Sequence, residues 1–301
     1  MYENIEKIIV VGSVVVDEIH TREGSIFEDF GGITYSIITL ANLLKKTRII
    51  PIAYIGKEDY HSFENLLSTF PNVDLSFILF SDKGSNRNVL RYKENGEREE
   101  FFKKITPPIE IKSLLTHLDA DASLINFIKN DDLSFETLKT FSYAYRNTLY
   151  IDIHSLLREV DEKGRFVLRS IPNWQRWISM GDIVQMNRGE ARAITGIDIK
   201  SLEDVQNLAL LLLGFGCKVI NITLGEKGTV VAWKERDKKH AEYIPAPQVD
   251  VVDPTGCGDV YGASFLFKYL ETKDPLKSAN FANKEAAKSA TWKGLGLDQL
   301  R

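Results

Sequence analysis

The strongest signal in this chain is a fifteen-residue stretch near its C-terminus. It reads Val249-Asp250-Val251-Val252-Asp253-Pro254-Thr255-Gly256-Cys257-Gly258-Asp259-Val260-Tyr261-Gly262-Ala263. The stretch begins as an apolar, β-branched run, breaks at Asp253-Pro254, and continues after a glycine turn as an apolar helical pattern over residues 260–270. Two glycines that flank one small residue permit a backbone turn that larger side chains would obstruct. A tight turn that opens into a helix is therefore expected here.

The turn at residues 256–258 and the acid that follows it predict a site for a negatively charged group. The first amides of a helix have no partner within the helix, and the helix dipole behind them favours an anion. Asp259 stands at the same helix mouth. Its carboxylate has two roles open to it. It could cap the helix, or it could accept a proton from an attacking hydroxyl, as in phosphoryl transfer.

Composition describes an ordinary globular chain and excludes several classes. The 301 residues are 44% hydrophobic and 27% charged, which is enough apolar sequence for a large core. The net charge of −4 gives no electrostatic footprint for nucleic acid, so no nucleic-acid partner is expected. The apolar stretches are too short to span a bilayer, and no basic segment precedes the first of them. We therefore expect no membrane partner and a cytoplasmic protein.

The order of the predicted elements favours a three-layer α/β fold with a mostly parallel sheet. Buried strands are predicted at residues 7–16, 47–55, 123–127, 148–153, 183–187 and 218–223, with helices between most of them. Polar residues follow the predicted strands, namely Asp17, Asp59, Asp152, Asn187, Thr223 and Asp259. Because open α/β sheets bind ligands at the carboxyl ends of their strands, these residues predict a cleft.

The pattern changes between residues 73 and 102, where no helix separates the apolar segments. Short strands are predicted at residues 75–80, 87–92 and 99–102, with hairpin turns at residues 83–85 and at Asn95-Gly96. This antiparallel patch either packs against the main sheet or projects as a flap that covers a site.

Asn187 and Glu190 are three residues apart at a predicted junction of strand and helix. This spacing makes a capping box, in which each side chain bonds the backbone amide of the other residue. It also places a carboxylate where it could hold Mg²⁺ through water beside a polyphosphate. Both interpretations remain open at this point.

Common nucleotide and hydrolase signatures are missing from the sequence. There is no G-x-x-x-x-G-K-[ST], no H-E-x-x-H and no G-x-S-x-G, and the glycine turn lies too far along the chain for a Rossmann fingerprint. Cys217 and Cys257 are the only cysteines and have no metal-ligand spacing.

The residues 253–259, Asp-Pro-Thr-Gly-Cys-Gly-Asp, resemble the C-terminal signature D-T-x-G-A-G-D of the ribokinase-like (PfkB) carbohydrate kinases. Further motifs of that family follow in the same order along essentially the whole chain: Gly12 with Asp17, Gly31-Gly32, Gly56-x-x-Asp59, Asn187-x-x-Glu190, and Thr223-Leu224-Gly225-Glu226-Lys227-Gly228. The resemblance implies a ribokinase-like fold. A single kinase domain over residues 1–301 would carry a β lid formed from about 14–32 and 73–104.

The resemblance also implies a role for each matched residue. Asp259 would be the catalytic base, and the amides of Gly256, Cys257 and Gly258 would form the anion hole. Asn187 and Glu190 would organise Mg²⁺ and phosphate, with Glu190 acting through water. ATP would contact Thr223, Gly225, Gly228 and Asn283. The acceptor would contact Asp17, Gly31, Gly32, Ser36 and His154. A monovalent cation is expected near Asp253.

The acceptor side departs from the family pattern, whereas the ATP side does not. Many sugar kinases have an asparagine shortly after the double glycine, where this chain has Thr34-Tyr35-Ser36. A frequent D-x-N-x-R segment is here Asp152-Ile153-His154-Ser155-Leu156. We therefore expect an ATP-dependent kinase for a hydroxyl of a sugar, polyol or nucleoside, with a homodimer through the lid. The alternatives are a catalytically weak ligand-binding or regulatory protein and, third, an unrelated nucleotide-binding dehydrogenase.

Overall fold

The computed structural model describes residues 5–20, 24–92, 98–169 and 171–299, and the helices and strands named here belong to those residues. The strands are β1 (Lys7–Val11), β2 (Val14–His20), β3 (Ile26–Gly32), β4 (Arg48–Ile52), β5 (Tyr54–Gly56), β6 (Leu79–Ser81), β7 (Asn86–Tyr92), β8 (Arg98–Lys103), β9 (Ala122–Asn126), β10 (Thr148–Asp152), β11 (Arg158–Val160), β12 (Phe166–Leu168), β13 (Ile183–Asn187), β14 (Val219–Thr223), β15 (Thr229–Glu235) and β16 (Lys238–Ile244). The α-helices are α1 (Thr34–Leu43), α2 (Lys57–Leu67), α3 (Ile111–Leu115), α4 (Phe135–Ala144), α5 (Trp174–Ile178), α6 (Arg188–Thr195), α7 (Leu202–Leu213), α8 (Cys257–Thr272) and α9 (Pro275–Ser289). Short 3₁₀ helices occupy Leu75–Phe77, His154–Leu157, Gly225–Lys227 and Leu297–Gln299.

Eight strands form a central sheet in the order β16-β15-β14-β13-β10-β9-β1-β4. The strands from β14 to β4 in this order are parallel, and β15 and β16 add an antiparallel edge. In β1, Ile8 and Val10 belong to one core cluster, whereas Ile9 and Val11 belong to another. All four side chains are 0% exposed, because helices cover both faces of the sheet. The predicted three-layer α/β fold is confirmed.

The apolar run of residues 7–16 forms two strands, so its prediction as one strand is wrong. The chain turns at Gly12, where an added Cβ atom would lie 2.3 Å from the backbone oxygen of Asn126. Beyond this close approach the chain leaves the central sheet, and β2 joins a smaller sheet. Asp17 consequently lies within β2 and not at the end of β1.

The smaller sheet has four strands in the order β3-β2-β7-β8. Two of its pairings are antiparallel, and the central pairing of β2 with β7 is parallel.

The strands predicted at residues 87–92 and 99–102 are confirmed, but the one at residues 75–80 is wrong. Asp74 accepts a hydrogen bond from the amide of Ser76 at 2.9 Å and starts a 3₁₀ turn, after which β6 pairs with β5. The predicted Asn95-Gly96 turn lies outside the described residues.

A single buried asparagine joins the segments that cross between the two sheets. Asn86 is 0% exposed, and its Nδ2 donates to Ser13 Oγ at 3.0 Å and to Thr106 Oγ1 at 2.8 Å. Its Oδ1 accepts from the amides of Ile105 and Thr106 at 2.8 and 3.0 Å. Ser13 in turn donates to the buried Asp132 at 2.5 Å. The hydrogen-bonding capacity of Asn86 is thus fully used at this junction.

A short hairpin of β11 and β12, which the sequence reasoning did not predict, packs against the smaller sheet. The amide of Phe102 in β8 donates to the carbonyl of Gly164 in the hairpin turn at 2.7 Å. The Phe102 and Phe166 rings lie 5.3 Å apart.

Within the described residues, no helix is both long and apolar enough to cross a membrane.

Candidate active site

A cavity of about 860 Å³ lies at the carboxyl ends of the parallel strands, between the central sheet and the smaller sheet. Most of the strand-end polar residues predicted from the sequence line it, namely Asp17, Asp152, Asn187, Thr223 and Asp259. Asp59 does not line it, and its carboxylate pairs with Arg87 at 3.1 Å. A cavity of this size is at the upper end of the range for ligand sites.

The glycine turn leads into the N-terminus of α8 and has the backbone conformation that its glycines predict. Gly256 has φ of +76°, and a Cβ atom there would lie 2.3 Å from the ring of Tyr35. Only glycine fits such a position without displacing the ring. The amides of the first helical turn have no helical partners, although the Cys257 amide donates to the Pro254 carbonyl at 3.3 Å. Residues 256–258 all line the cavity.

Asp259 is held at the cavity by a strand of the central sheet. Its carboxylate accepts a hydrogen bond from Asn126, which ends β9. Burial raises the pKa of Asp259, and the nearby charge of His154 and the Asn126 hydrogen bond oppose that shift. A carboxyl group whose pKa moves toward neutral pH is a stronger base than an ordinary aspartate.

Asn187 and Glu190 form the capping box at the start of α6. Asn187 Oδ1 accepts from the Glu190 amide at 2.9 Å, and Glu190 Oε2 accepts from the Asn187 amide at 2.7 Å. The other carboxylate oxygen, Oε1, lies 3.1 Å from His154 Nδ1. Burial alone would lower the pKa of His154, but the hydrogen bond to Glu190 and the charges of Glu190 and Asp152 raise it to about 9. An imidazolium–carboxylate pair therefore lines the cavity beside the capping box.

Asp152 and Gln185 connect this pair to the glycine turn. Gln185 Nε2 donates to Asp152 Oδ2 at 2.8 Å and to the Gly258 carbonyl at 3.0 Å. Burial raises the pKa of Asp152 well above its ordinary value, and the charges of Glu190 and Asp259 add to the shift, against the opposing charge of His154. The carboxyl groups of the cavity thus influence one another's protonation.

The nucleotide-side residues predicted from the resemblance gather at the other end of the cavity. Thr223, Gly225, Gly228 and Asn283 all line it, together with the small side chains of α9. Asn283 Oδ1 accepts from Thr229 Oγ1 at 2.9 Å, and its Nδ2 donates to the Ile244 carbonyl at 3.0 Å. Asn283 therefore joins α9 to strands β15 and β16 as well as facing the cavity.

The predicted acceptor residues are only partly in the cavity wall. Asp17, Gly32 and His154 line it, whereas Gly31 and Ser36 do not. Gly31 lies behind Asp17, where an added Cβ atom would be 2.1 Å from the Asp17 carboxylate. Ser36 Oγ donates to the backbone carbonyl of Asp259 at 3.5 Å, so it supports the turn instead of facing a ligand.

Several cavity residues escaped the sequence reasoning: Asn88, Glu100, Phe102, Arg158, Phe166 and Gln185. Gln185 carried a signal, since it is a polar residue inside the apolar strand β13. Asn88 and Phe102 carried none, because they face the cavity only through the register of the smaller sheet.

Comparison with known proteins agrees with this geometry. The sequence profile described as pfkB family carbohydrate kinase matches residues 120–300, a segment that includes the glycine turn and the capping box. The cytidine kinase of Thermococcus kodakarensis is 27% identical over 273 residues, which cover 87% of this chain and 88% of that protein.

Solved structures share the fold at low sequence identity. A pyrophosphate-dependent kinase in the ribokinase family, complexed with a pyrophosphate analog and myo-inositol, has a TM-score of 0.76 at 19% identity and covers 94% of both chains. Ribokinase from Thermotoga maritima has a TM-score of 0.72 at 18% identity and covers 97% of this chain and 95% of that one. The predicted ribokinase-like fold is confirmed.

Proposed function

The chain belongs to the pfkB family of carbohydrate kinases, and from that membership we propose how its residues divide the work of phosphoryl transfer to a hydroxyl group. Asp259 is the base, because it combines a place at the mouth of α8 with a raised pKa and a fixed orientation from Asn126. It takes the proton of the acceptor hydroxyl as that oxygen bonds to the γ-phosphorus and the bond to the ADP oxygen breaks. The position of Asp259 at the glycine turn is the observation that carries the proposal.

The amides of Gly256, Cys257 and Gly258 form the anion hole for the transferring phosphoryl group. The left-handed backbone of Gly256 supports this role, since it turns the chain so that the first amides of α8 meet the cavity. The Cys257 amide leaves the Pro254 carbonyl to join them. That 3.3 Å hydrogen bond is long, so its loss costs little.

Glu190 and Asn187 organise Mg²⁺ together with the phosphates of ATP. Among the described residues, no group of three or more metal-ligating side chains is present. Mg²⁺ in such sites commonly keeps several waters and takes one or two carboxylates plus substrate phosphates, and Glu190 supplies one carboxylate at the cavity wall. The metal would neutralise charge on the phosphates, while Glu190 orients its water ligands and Asn187 keeps Glu190 in place.

The nucleotide is ATP, bound by Thr223, Gly225, Gly228 and Asn283. Gly225 supports this role, since it has a left-handed backbone and no atom within 4 Å of the position of an added Cβ atom, which leaves room for a ligand close to the chain. A monovalent cation beside Asp253 would use the lone pairs that remain after its carboxylate accepts from the amides of Thr255 and Gly294 at 2.9 and 3.2 Å.

The acceptor is a small polyhydroxy compound that Asp17, Gly32 and His154 contact, with Gly31 and Ser36 as supports. Carboxyl groups dominate this end of the cavity, where Asp17, Asp152 and Glu100 accompany only Arg158 and His154. We propose that the smaller sheet closes over this end as a lid on a single domain.

We propose a cytoplasmic location, which the use of ATP supports. We also propose that the smaller sheet mediates a homodimer. Strand β3 is an edge of the smaller sheet, and its Ile26 side chain is 61% exposed next to the partly exposed Phe27. Exposed apolar side chains on an edge strand favour pairing with another copy, although Glu28 and Asp29 interrupt the apolar character of β3.

The experiment that tests the proposed function compares Asp259→Asn with Asp250→Asn in an ADP-release assay over a panel of sugars, polyols and nucleosides. Asp250 is an exposed neighbour outside the cavity wall and serves as the matched control. We expect Asp259→Asn to lower kcat by roughly 10²–10⁴-fold. The Kd for ATP should stay within about threefold, since Asp259 lies outside the nucleotide end of the cavity.

Two results would contradict the proposal. Near-normal turnover of Asp259→Asn would remove Asp259 from the role of base. Failure of every acceptor to stimulate ADP release by the unmodified protein would favour the alternative, a ligand-binding or regulatory protein.

A further inference from the structure

The cavity-facing side of the smaller sheet carries a row of three residues that recognise different chemical groups. Asp17 in β2 is paired in register with Asn88 in β7, and Asn88 is paired with Phe102 in β8. All three line the cavity, and Asn88 Nδ2 donates to Asp17 Oδ1 at 3.2 Å. Neighbouring strands are about 4.8 Å apart, so Phe102 lies about 10 Å from Asp17 along this row. The row therefore offers polar groups first and an aromatic ring two strands away.

The far end of the row is enlarged into an aromatic wall by the β11–β12 hairpin. The Phe102 and Phe166 rings are 5.3 Å apart with 34° between their planes, and the Arg158 guanidinium lies 5.2 Å from the centre of the Phe166 ring. All three side chains line the cavity. The hydrogen bond from the Phe102 amide to the Gly164 carbonyl fixes the hairpin to β8.

We infer that the acceptor is a nucleoside, which deepens the proposed kinase function and rests on it. Its ribose hydroxyls bind Asp17 and Asn88, and its base packs against the half-buried Phe166, whose ring packs on Phe102, itself 4% exposed. A single sugar ring held by Asp17 ends before the aromatic wall, whereas a nucleoside spans both ends of the row. The 5′-hydroxyl is the group then free to reach Asp259, where its oxygen bonds to the γ-phosphorus, ADP leaves, and Asp259 takes the proton.

The composition of the wall favours a nucleobase over the apolar face of a second sugar. Aromatic rings and guanidinium groups both stack on the flat faces of bases, and this wall contains two rings and one guanidinium. Stacking of one base on an aromatic side chain changes affinity by roughly five- to hundredfold.

The test measures kcat/KM for cytidine, uridine, adenosine and inosine beside ribose, deoxyribose and myo-inositol, each with ATP. We expect at least one nucleoside to exceed ribose by at least about tenfold. Calorimetric binding of the same compounds to Asp259→Asn gives a readout that does not depend on turnover. The nucleoside should bind this variant, and ribose should bind more weakly.

Phe166→Leu tests the wall directly, because leucine keeps an apolar side chain for folding but has no aromatic face. We expect the KM of the preferred nucleoside to rise at least about fivefold, with kcat and the KM for ATP within about twofold. Phe166→Trp should restore the nucleoside KM. Val167→Ala is the matched control, since Val167 lies on the same strand, is 43% exposed and does not line the cavity.

The outcomes separate this inference from the kinase proposal. A preference for ribose, deoxyribose or myo-inositol would overturn the nucleoside and leave the kinase intact. An unchanged nucleoside KM in Phe166→Leu would overturn the place assigned to the base. If nucleosides bind Asp259→Asn but the unmodified protein phosphorylates no acceptor, the binding site stands and the kinase proposal falls.

Discussion

Replacing Asn86 with leucine should destabilise the protein more than most single substitutions, because Asn86 joins the crossing points between the two sheets. Leucine is similar in size but can neither donate nor accept a hydrogen bond. The amides of Ile105 and Thr106 would lose their acceptor, and the hydroxyls of Ser13 and Thr106 would lose their donor.

The expected magnitude follows from which groups are left without a partner. A buried donor without a hydrogen bond costs about 1–3 kcal/mol, so the two amides of Ile105 and Thr106 together cost roughly 2–6 kcal/mol. The Ser13 hydroxyl keeps Asp132 as its acceptor and adds little. We expect the free energy of unfolding to fall by about 4 kcal/mol, a large share of the roughly 5–15 kcal/mol typical of a domain.

Urea unfolding followed by tryptophan fluorescence measures this loss, since the chain has four tryptophans. The midpoint should fall while the slope of free energy against urea stays constant, because the surface exposed on unfolding does not change. Asn280→Leu is the matched control. Asn280 is exposed on α9, where its side chain bonds only the Leu276 carbonyl, so its replacement should cost no more than about 0.5 kcal/mol. A loss below about 1 kcal/mol for Asn86→Leu would refute the reasoning.

Three further substitutions test the turn and the imidazolium pair. Gly256→Ala should lower kcat at least about 100-fold, measured by ADP release with circular dichroism as the check on folding, because its Cβ atom would lie 2.3 Å from the Tyr35 ring. Cys257→Ala should keep kcat within about threefold, since the amide and not the thiol faces the phosphate in our proposal; a loss as large as that of Gly256→Ala would contradict it. NMR titration should give His154 a pKa of about 9, and in Glu190→Gln that pKa should fall toward 6.5. Because the pKa of His154 is raised on folding, the stability that His154 contributes is complete below pH 6.5 and is lost as the pH rises to about 9. If Glu190→Gln leaves the pKa of His154 unchanged, the pairing is contradicted.

Features fixed by residues close in sequence could be predicted, and those fixed by distant residues could not. The glycine turn, the helix after it and the capping box depend on positions within a few residues of one another. Asn126 holds the Asp259 carboxylate across 133 positions of sequence, and no spacing pattern connects the two. Gly12 is a second example of a feature set by a distant residue. The backbone oxygen of Asn126, in a neighbouring strand, leaves no room for a Cβ atom where the chain turns after β1.

The acceptor end was the least predictable part because it depends on the register of a small sheet. Asp17 was identified as a ligand-side acid, yet its partner Asn88 and the aromatic wall follow from which residues of β2, β7 and β8 stand opposite one another. A shift of register by one residue would turn Asn88 and Phe102 away from the cavity. Sequence periodicity gives the faces of a strand but not the partner of each residue.

The two interpretations of Glu190 are compatible because a carboxylate has about four acceptor sites, and three of them are used within the protein. Oε2 accepts from the Asn187 amide and completes the capping box, while Oε1 accepts from Asn187 Nδ2 at 2.6 Å and lies 3.1 Å from His154 Nδ1. These contacts fix the carboxylate at the cavity wall, and the acceptor site that remains on Oε2 is the one left for a water ligand of the metal in our proposal. Glu190→Gln keeps an oxygen for the cap and removes the charge, so it should retain the fold while it weakens metal-dependent turnover. A variant that unfolds instead would show that the charge of Glu190 serves mainly to balance His154.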